Sequence, residues 1–240
     1  MAALFISLAV CSVIAFFLIV SRTGLKNLHL WYSYPENIAL IVSDVLISVL
    51  FFFVVQYRSR IKEMTEYFET MSVKDALTNV YNRRYIDENL NTLVKAITRS
   101  GGELTIMVIH VDFFKAYNDS YGHNKGDNCL KILARVLGQT LKRENDFVAR
   151  YAGTEFLAVL PNTGTTGAGI MAERLLKNVR DCNIPHEKNE AAKFVTVSIG
   201  AAAGKADYTQ TGEDYIKKAQ DALAVSKQNG YNRFTLLGIN

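Results

Sequence analysis

The sequence predicts an α/β domain with a central mixed sheet flanked by helices, preceded by two transmembrane helices and a short helical linker. Two long apolar runs occupy the first part of the chain, and strand and helix patterns alternate after about residue 72. The 240 residues are 49% hydrophobic and 21% charged, which suits one soluble domain plus a membrane part. A net charge of +4 without a basic run excludes nucleic acid as the main partner.

The N-terminal region, residues 1–56, is predicted to hold two membrane spans. Residues 2–20 carry no charge, and about 20 apolar residues suffice to cross a bilayer. The second run, residues 38–55, is interrupted only by Asp44 and two serines. The sequence therefore predicts a two-pass attachment to a membrane.

Basic residues beside the two spans predict their orientation. The loop between the spans carries Arg22 and Lys26, whereas Arg58, Arg60 and Lys62 follow the second span. Because cytoplasmic segments carry the excess of Lys and Arg, we expect the C-terminal domain to lie in the cytoplasm. The predicted location is the bacterial cytoplasmic (inner) membrane.

Residues 57–72 are predicted to be a helical linker. Apolar residues recur there at spacings of three, four and three, as in about two heptads of a coiled coil, at Ile61, Met64, Phe68 and Met71. This seam fits a homodimer, and it fits equally an amphipathic helix packed on its own domain.

The remaining residues, 73–240, alternate between strand and helix patterns. The predicted elements are a buried strand at 104–111, a helix at 128–141, a β-hairpin at 148–151 and 156–160, a helix at 166–179, a strand at 194–201, and a helix at 213–229 that Gly230 ends. This order predicts one sheet covered by helices.

Several motifs follow one another in this domain. They are Asp75-Ala76-Leu77-Thr78 with Asn82-Arg83-Arg84, Asp112-Phe113-Phe114-Lys115 with Asn118-Asp119, Gly122-His123 and Gly126-Asp127, Tyr151-Ala152-Gly153-Thr154-Glu155-Phe156, and Thr196-Val197-Ser198-Ile199-Gly200. In this order they resemble the GGDEF family of diguanylate cyclases over about residues 72–234. The resemblance implies a nucleotidyl-cyclase-like fold and, in active members, condensation of two GTP molecules into cyclic di-GMP.

The chain departs from the family pattern at three positions that the resemblance assigns to catalysis. His110 and Thr154 stand where the family has acidic ligands of the catalytic metal, and Tyr231 replaces an arginine that holds phosphate. The motif neighbours Ala152, Gly153, Glu155 and Phe156 remain. We therefore expect no intact catalytic site, no metal site and no cofactor, with Mg²⁺ relevant only if some cyclase activity persists.

Other positions match residues that hold nucleotide in the family. Asn118 and Asp127 match the residues that read guanine, and the neighbouring matches are Phe113, Phe114, Lys115 and Lys227. Weak nucleotide binding is one expectation. The alternative is that Asn118 only ties the loop and that Asp127 caps a helix beginning near it. His110 is predicted to be a hydrogen-bonded histidine at a strand end.

Arg143-Glu144-Asn145-Asp146 lies before the hairpin, at an offset where many family members bind cyclic di-GMP through Arg-x-x-Asp. Arginine presents a planar fork to guanine or phosphate, and a carboxylate accepts from guanine N–H groups. Arg174 matches a further cation of this site in some relatives. The alternative is a solvated Arg–Asp pair of little energetic consequence.

These patterns lead to three hypotheses. The first is a membrane-anchored cyclic di-GMP receptor that signals to a membrane partner such as an exopolysaccharide synthase. The second is a diguanylate cyclase with weak activity. The third is a scaffold that binds no nucleotide and dimerises with active cyclases.

Overall fold

The computed structural model describes residues 35–239, which belong to two compact units, Met1–Met71 and Ser72–Asn240. In the first unit the described residues form one helix, α1 (Pro35–Met71). The first predicted span, residues 2–20, lies outside the described residues.

Helix α1 contains the residues of the predicted second span and of the predicted helical linker up to Met71. Residues 38–55 and 57–71 are one uninterrupted helix, because no glycine or proline follows Pro35 to break its hydrogen-bond ladder. Within residues 35–239, no helix combines the length and apolar character needed to cross a membrane. Ile61 and Met64, two of the predicted seam residues, are exposed, and the homodimer stays a prediction.

The second unit alternates strands and helices as predicted. Its described elements are β1 (Tyr81–Asn82), α2 (Arg83–Arg99), β2 (Glu103–Val111), α3 (Phe114–Tyr121), α4 (His123–Thr140), β3 (Phe147–Ala152), β4 (Glu155–Pro161), α5 (Thr165–Asp181), β5 (Val197–Lys205), α6 (Gly212–Gln228) and β6 (Phe234–Gly238). The predicted α/β class with a helix-flanked mixed sheet is confirmed.

The strands of this unit form a six-stranded sheet in the order β1-β3-β4-β2-β5-β6. Strand β2 pairs antiparallel with β4 and β5, and the outer pairs β1–β3 and β5–β6 are parallel. The β3–β4 hairpin pairs antiparallel, with an irregularity between Arg150 and Ala152. The C-terminal end of β2 and the hairpin tip are therefore neighbours at one end of the sheet.

Apolar side chains cover both faces of the sheet. One core contains residues of α4 and α5, such as Leu133 and Leu175, packed against the Met107 face of β2. The other contains residues of α2 and α6, such as Leu90 and Leu223, packed against the Ile106 face. Alternate residues of a strand point to opposite faces, so His110 lies on the α2 and α6 side.

Strand β5 begins and ends later than the predicted 194–201. Residues Val197–Lys205 include a run of small side chains that carries little strand signal. Small size is required there, because a Cβ on Gly200 would lie 2.0 Å from the Ala219 carbonyl oxygen of α6. Close packing under α6 therefore requires glycine at position 200.

Candidate functional site

The end of β2 and the tip of the β3–β4 hairpin frame a cleft. His110 pairs across the sheet with Glu155 on β4 and with Ser198 on β5. The backbone N–H of Val111 donates to the Thr154 carbonyl oxygen at 3.2 Å, which fixes the tip beside β2. Gly153 adopts a φ of 38° in the turn, a region that glycine occupies without steric cost.

This cleft has a volume of about 620 Å³. It brings together several of the residues singled out in the sequence, and its lining consists of His110, Phe113, Phe114, Lys115, Asn118, Asp119, His123 and Thr154. Lys227 on α6 is close enough for its charge to act on His110. Asp127 is absent from this lining.

His110 is not the hydrogen-bonded histidine that the sequence predicts. Its Nδ1 is buried and has no hydrogen-bond partner in the described part of the chain. Burial, assisted by the positive charge of Lys227, lowers the pKa of His110 to about 4. The imidazole is therefore neutral near pH 7, and neither it nor the Thr154 hydroxyl brings negative charge to the cleft.

Asp112 lies just beyond the end of β2 and is fully buried. The hydroxyl of Ser198 donates to Oδ1 at 2.7 Å, and the hydroxyl of Thr196 donates to Oδ2 at 2.8 Å. The backbone N–H of Asn232 also donates to Oδ2, at 3.2 Å. Burial raises the pKa of Asp112, although these hydrogen bonds and Lys227 oppose the shift. The carboxylate thus ties β2 to β5 and to the segment before β6.

Phe113, the residue directly before α3, has an unusual backbone conformation. Its φ of 50° is uncommon for a residue with a side chain, and Tyr231 has a φ of 58°. The two rings pack with centroids 4.5 Å apart. His186 Nε2 lies 3.2 Å from the Phe113 carbonyl oxygen, which accepts its hydrogen bond. Sequence reasoning missed His186, because it stands in a loop without periodic pattern.

Asn118 and Asp127, which the sequence groups together, have different surroundings. Asn118 lines the cleft, and its Oδ1 is buried without a partner among the described residues. A Cβ on Gly126 would lie 1.9 Å from that oxygen, so Asn118 needs glycine there. Asp127 is exposed on α4, which begins at His123, so the predicted cap at Asp127 is wrong.

The Arg-x-x-Asp segment forms a turn directly before β3. The backbone N–H of Asp146 donates to the Arg143 carbonyl oxygen at 3.1 Å. Arg143 is exposed, and its Nη1 donates to the Thr163 hydroxyl at 3.1 Å. Arg143 and Asp146 therefore share one turn, and the ligand site there stays a prediction.

The two carboxylate oxygens of Asp146 are not equivalent. Its Oδ1 is buried and lacks a hydrogen-bond partner in residues 35–239. Burial raises the pKa of Asp146, and the charge of Arg143 opposes that shift. Arg174 is exposed on α5, and no hydrogen bond or ion pair joins it to Arg143 or Asp146 in the described part of the chain.

A further contact links the hairpin to the motif at Asp75. Arg150 Nη1 lies 3.1 Å from Asp75 Oδ1, which also accepts from the Thr78 hydroxyl at 2.6 Å and the Thr78 N–H at 2.8 Å. Burial alone would raise the pKa of Asp75, but these donors outweigh it and lower the pKa. The contact attaches the start of the domain to β3.

Comparisons with known proteins identify the family pattern. The family model described as "Diguanylate cyclase, GGDEF domain" matches residues 72–233. The response regulator PleD of Caulobacter vibrioides is 33% identical over 179 residues, 74% of this chain and 38% of PleD. Diguanylate cyclase A of Treponema denticola is 36% identical over 169 residues, 69% of this chain and 44% of that protein. The chain thus spans less than half the length of these relatives.

A solved structure gives the same picture of the fold. The GGDEF domain of DgcB from Caulobacter crescentus, crystallised in complex with c-di-GMP, superposes with a TM-score of 0.62 at 30% identity. The match covers 69% of this chain and 95% of that one.

Proposed function

The chain belongs to the GGDEF family, and we propose that it is a membrane-anchored receptor for cyclic di-GMP that does not condense GTP. The proposed ligand site is the turn at Arg143 and Asp146, with Arg174 as an outer cation. The cleft at His110 and Thr154 is the place where the family reaction is proposed to be lost.

The Oδ1 of Asp146, which is buried and has no partner among the described residues, carries this proposal. Buried polar atoms are nearly always hydrogen-bonded, so an unpaired carboxylate oxygen at an exposed arginine suits an incoming donor. Guanine offers N1–H and amino donors to such a carboxylate, and its O6 and N7 accept from a guanidinium. Cyclic di-GMP supplies these groups together with phosphates that attract the two arginines.

The side chains at the cleft do not fit the Mg²⁺ that the family reaction requires. Magnesium prefers hard, charged oxygen ligands in octahedral geometry. His110 offers a neutral nitrogen, Thr154 a hydroxyl, and the buried Asp112 already accepts hydrogen bonds from three donors. Since metal-held oxyanions supply several kcal/mol in such reactions, we expect GTP condensation to be at least about a thousandfold slower than in an active cyclase.

Membrane anchoring is part of the proposal and is supported by sequence and by exposure. Large apolar side chains of α1, including Leu46, Leu50 and Phe53, are exposed in the described chain. Extended apolar surface of this kind marks a site that contacts a membrane or another protein. We propose attachment to the inner membrane through the N-terminal region, a cytoplasmic GGDEF domain, a homodimer, and a membrane polysaccharide synthase as partner.

The ligand test is a calorimetric titration of the full chain with cyclic di-GMP, beside Arg143→Ala and Arg84→Ala. Arg84 is exposed on α2, paired with Glu88, and serves as the matched control. We expect micromolar binding, a loss of at least about tenfold in Arg143→Ala, and no change in Arg84→Ala. Equal affinities for all three proteins would remove the proposed site.

Two further measurements separate the competing hypotheses. Formation of a cyclic dinucleotide from GTP with Mg²⁺ or Mn²⁺ would show a cyclase instead. Absence of cyclic di-GMP binding, together with co-purification of an active cyclase, would favour the scaffold. Polymer secretion that is unchanged when the chain is deleted would contradict the proposed synthase partner.

A further inference from the structure

A second cavity lies between the C-terminal half of α2 and the loop that joins β5 to α6. Its volume is about 550 Å³, and its polar lining includes Asn91, Lys95 and Arg99 on α2 and Asp207 and Gln210 in the loop. None of its lining residues belongs to the cleft at the hairpin tip or to the Arg-x-x-Asp turn. The cavity is therefore distinct from both sites described above.

Helix α2 and the loop are held together where they form this cavity. The N–H of Gly212 donates to Asn91 Oδ1 at 2.8 Å, which joins the start of α6 to the middle of α2. A Cβ on Gly212 would lie 2.6 Å from Leu90 Cγ, so the chain approaches α2 closely there. Within the loop, Asp207 Oδ1 accepts from the Thr209 N–H at 3.1 Å. A ligand therefore meets a cavity that is already formed, which lowers the entropic cost of binding.

The α2 side of the cavity carries two cations. Lys95 and Arg99 are exposed four residues apart, and within residues 35–239 no ion pair joins either of them to an acidic side chain. Like charges at this spacing repel each other and slightly destabilise a helix. Earlier on the same helix, by contrast, Arg83 and Arg84 each pair with a carboxylate four residues on. Lys95 and Arg99 are therefore available to anionic groups of a ligand.

The loop side of the cavity offers acceptors. Oε1 of Gln210 is buried and has no hydrogen-bond partner in the described part of the chain, and the carboxylate of Asp207 lines the same cavity. Buried polar atoms rarely lack a partner, and an amide oxygen accepts hydrogen bonds only. A positively charged donor on a ligand would satisfy the Gln210 oxygen and offset the charge of Asp207. Lys95 and Arg99 against Asp207 leave an excess of about one positive charge.

We propose that this cavity binds an acidic α-amino acid. The two carboxylates of the ligand pair with Lys95 and Arg99, and its ammonium group donates to Oε1 of Gln210 and faces Asp207. Such a ligand carries a net charge of about −1 near pH 7, which offsets the excess of the cavity. The volume admits it together with bridging waters, which polar ligand sites commonly hold. This inference goes beyond the proposed receptor and does not depend on cyclic di-GMP binding.

Equilibrium dialysis of the full chain with radiolabelled L-glutamate tests this inference. We expect a dissociation constant below about 1 mM. L-Glutamine lacks the second carboxylate and glutarate lacks the ammonium group, so each should compete at least about tenfold more weakly than unlabelled L-glutamate. Absence of L-glutamate binding at about 10 mM would overturn the inference. Equal competition by all three compounds would overturn it as well, since the cavity would then hold no site for both charges.

Variants on both sides of the cavity locate the ligand. Lys95→Met and Arg99→Met keep an unbranched side chain without its charge, and each is expected to weaken L-glutamate binding about tenfold. Gln210→Ala is expected to weaken it about fivefold. Arg84→Ala is the control, because Arg84 is exposed on the same helix and does not line the cavity. Unchanged affinity in both methionine variants, or an equal loss in Arg84→Ala, would contradict the inference.

Two further measurements on the same preparations complete the test. A urea transition as cooperative as that of the wild type shows that a variant is folded, so that a loss of binding belongs to the cavity. A titration with cyclic di-GMP separates this inference from the proposed receptor. Wild-type protein that binds cyclic di-GMP but not L-glutamate overturns this inference alone. Wild-type protein that binds L-glutamate but not cyclic di-GMP overturns the proposed receptor and leaves this inference standing.

Discussion

The carboxylates beside strands β3 and β2 differ in their hydrogen-bond partners. Just before β3, Asp146 keeps a buried oxygen without a partner among the described residues, beside the exposed Arg143. Just after β2, Asp112 is buried with both oxygens hydrogen-bonded. The comparison teaches that the number of partners, more than the residue type, distinguishes a carboxylate poised for a ligand from one that stabilises the fold.

The largest expected effect on stability is at Asp112. Asp112→Ala leaves the buried hydroxyls of Thr196 and Ser198 without their acceptor, so we expect a loss of about 3 kcal/mol in the free energy of unfolding. Urea denaturation measures it, with the exposed Asp119→Ala on α3 as control. A cost below about 1 kcal/mol would break the comparison, since Asp112 would then not be structural.

Asp146 should behave in the opposite way, with a large effect on ligand affinity and a small effect on stability. Asp146→Asn is expected to weaken cyclic di-GMP binding about thirtyfold, or about 2 kcal/mol. Its free energy of unfolding should change by less than about 0.5 kcal/mol, because no hydrogen bond to Oδ1 is lost. The control is Asp181→Asn, an exposed residue paired with Lys177. A large stability loss in Asp146→Asn with unchanged ligand affinity would reverse the assignment.

The cleft should make the protein sensitive to acid through His110. Its pKa is about 4 in the folded state and near 6.5 when unfolded. The unfolded state therefore binds more protons in this window, and stability falls as the pH drops from about 6.5 toward 4. His110→Asn is expected to remove on the order of 1 kcal/mol of the loss between about pH 7 and 5.

Urea denaturation at several pH values tests this prediction. Burial also lowers the pKa of His186, so acid destabilisation should persist in part in the variant. The difference between the two proteins isolates His110. Parallel pH profiles for wild type and His110→Asn would show that His110 is protonated equally in both states.

The smallest effect concerns Arg174. Because no hydrogen bond or ion pair joins it to the turn in the described chain, its role depends on long-range attraction to the ligand. Arg174→Ala should weaken cyclic di-GMP binding by up to about fivefold, or about 1 kcal/mol, and the loss should shrink at high salt. An effect as large as that of Arg143→Ala would make Arg174 a direct ligand contact.

Local patterns predicted the elements whose periodicity is strong. The predicted hairpin at 148–151 and 156–160 is confirmed as β3 and β4, and the strand at 104–111 as β2. Helix α4 begins at His123, five residues before its predicted start. The prediction missed the first turn because that turn is polar and contains a glycine. Periodicity therefore located the packed part of this helix and missed its polar start.

Helix α2 was missed although the sequence carries its signals. Asn82 accepts from the Tyr85 N–H as an N-cap, and buried residues recur at helical spacing at Ile86, Leu90, Val94 and Ile97. His186 could not be predicted in this way. Its contact is with Phe113, 73 residues earlier in the chain, and only tertiary packing creates it. The same holds for the unpaired atoms of His110 and Asp146.

The irregular pairing between Arg150 and Ala152 has a consequence for variation of the domain. Residues 147–150 keep a regular register with β4, whereas the tip at Gly153 and Thr154 follows the irregularity. A bulge lets a strand end change direction without shifting the pairing before it. Because the tip is held by the backbone of Thr154, that position can accept other side chains while the remainder of the sheet folds as before.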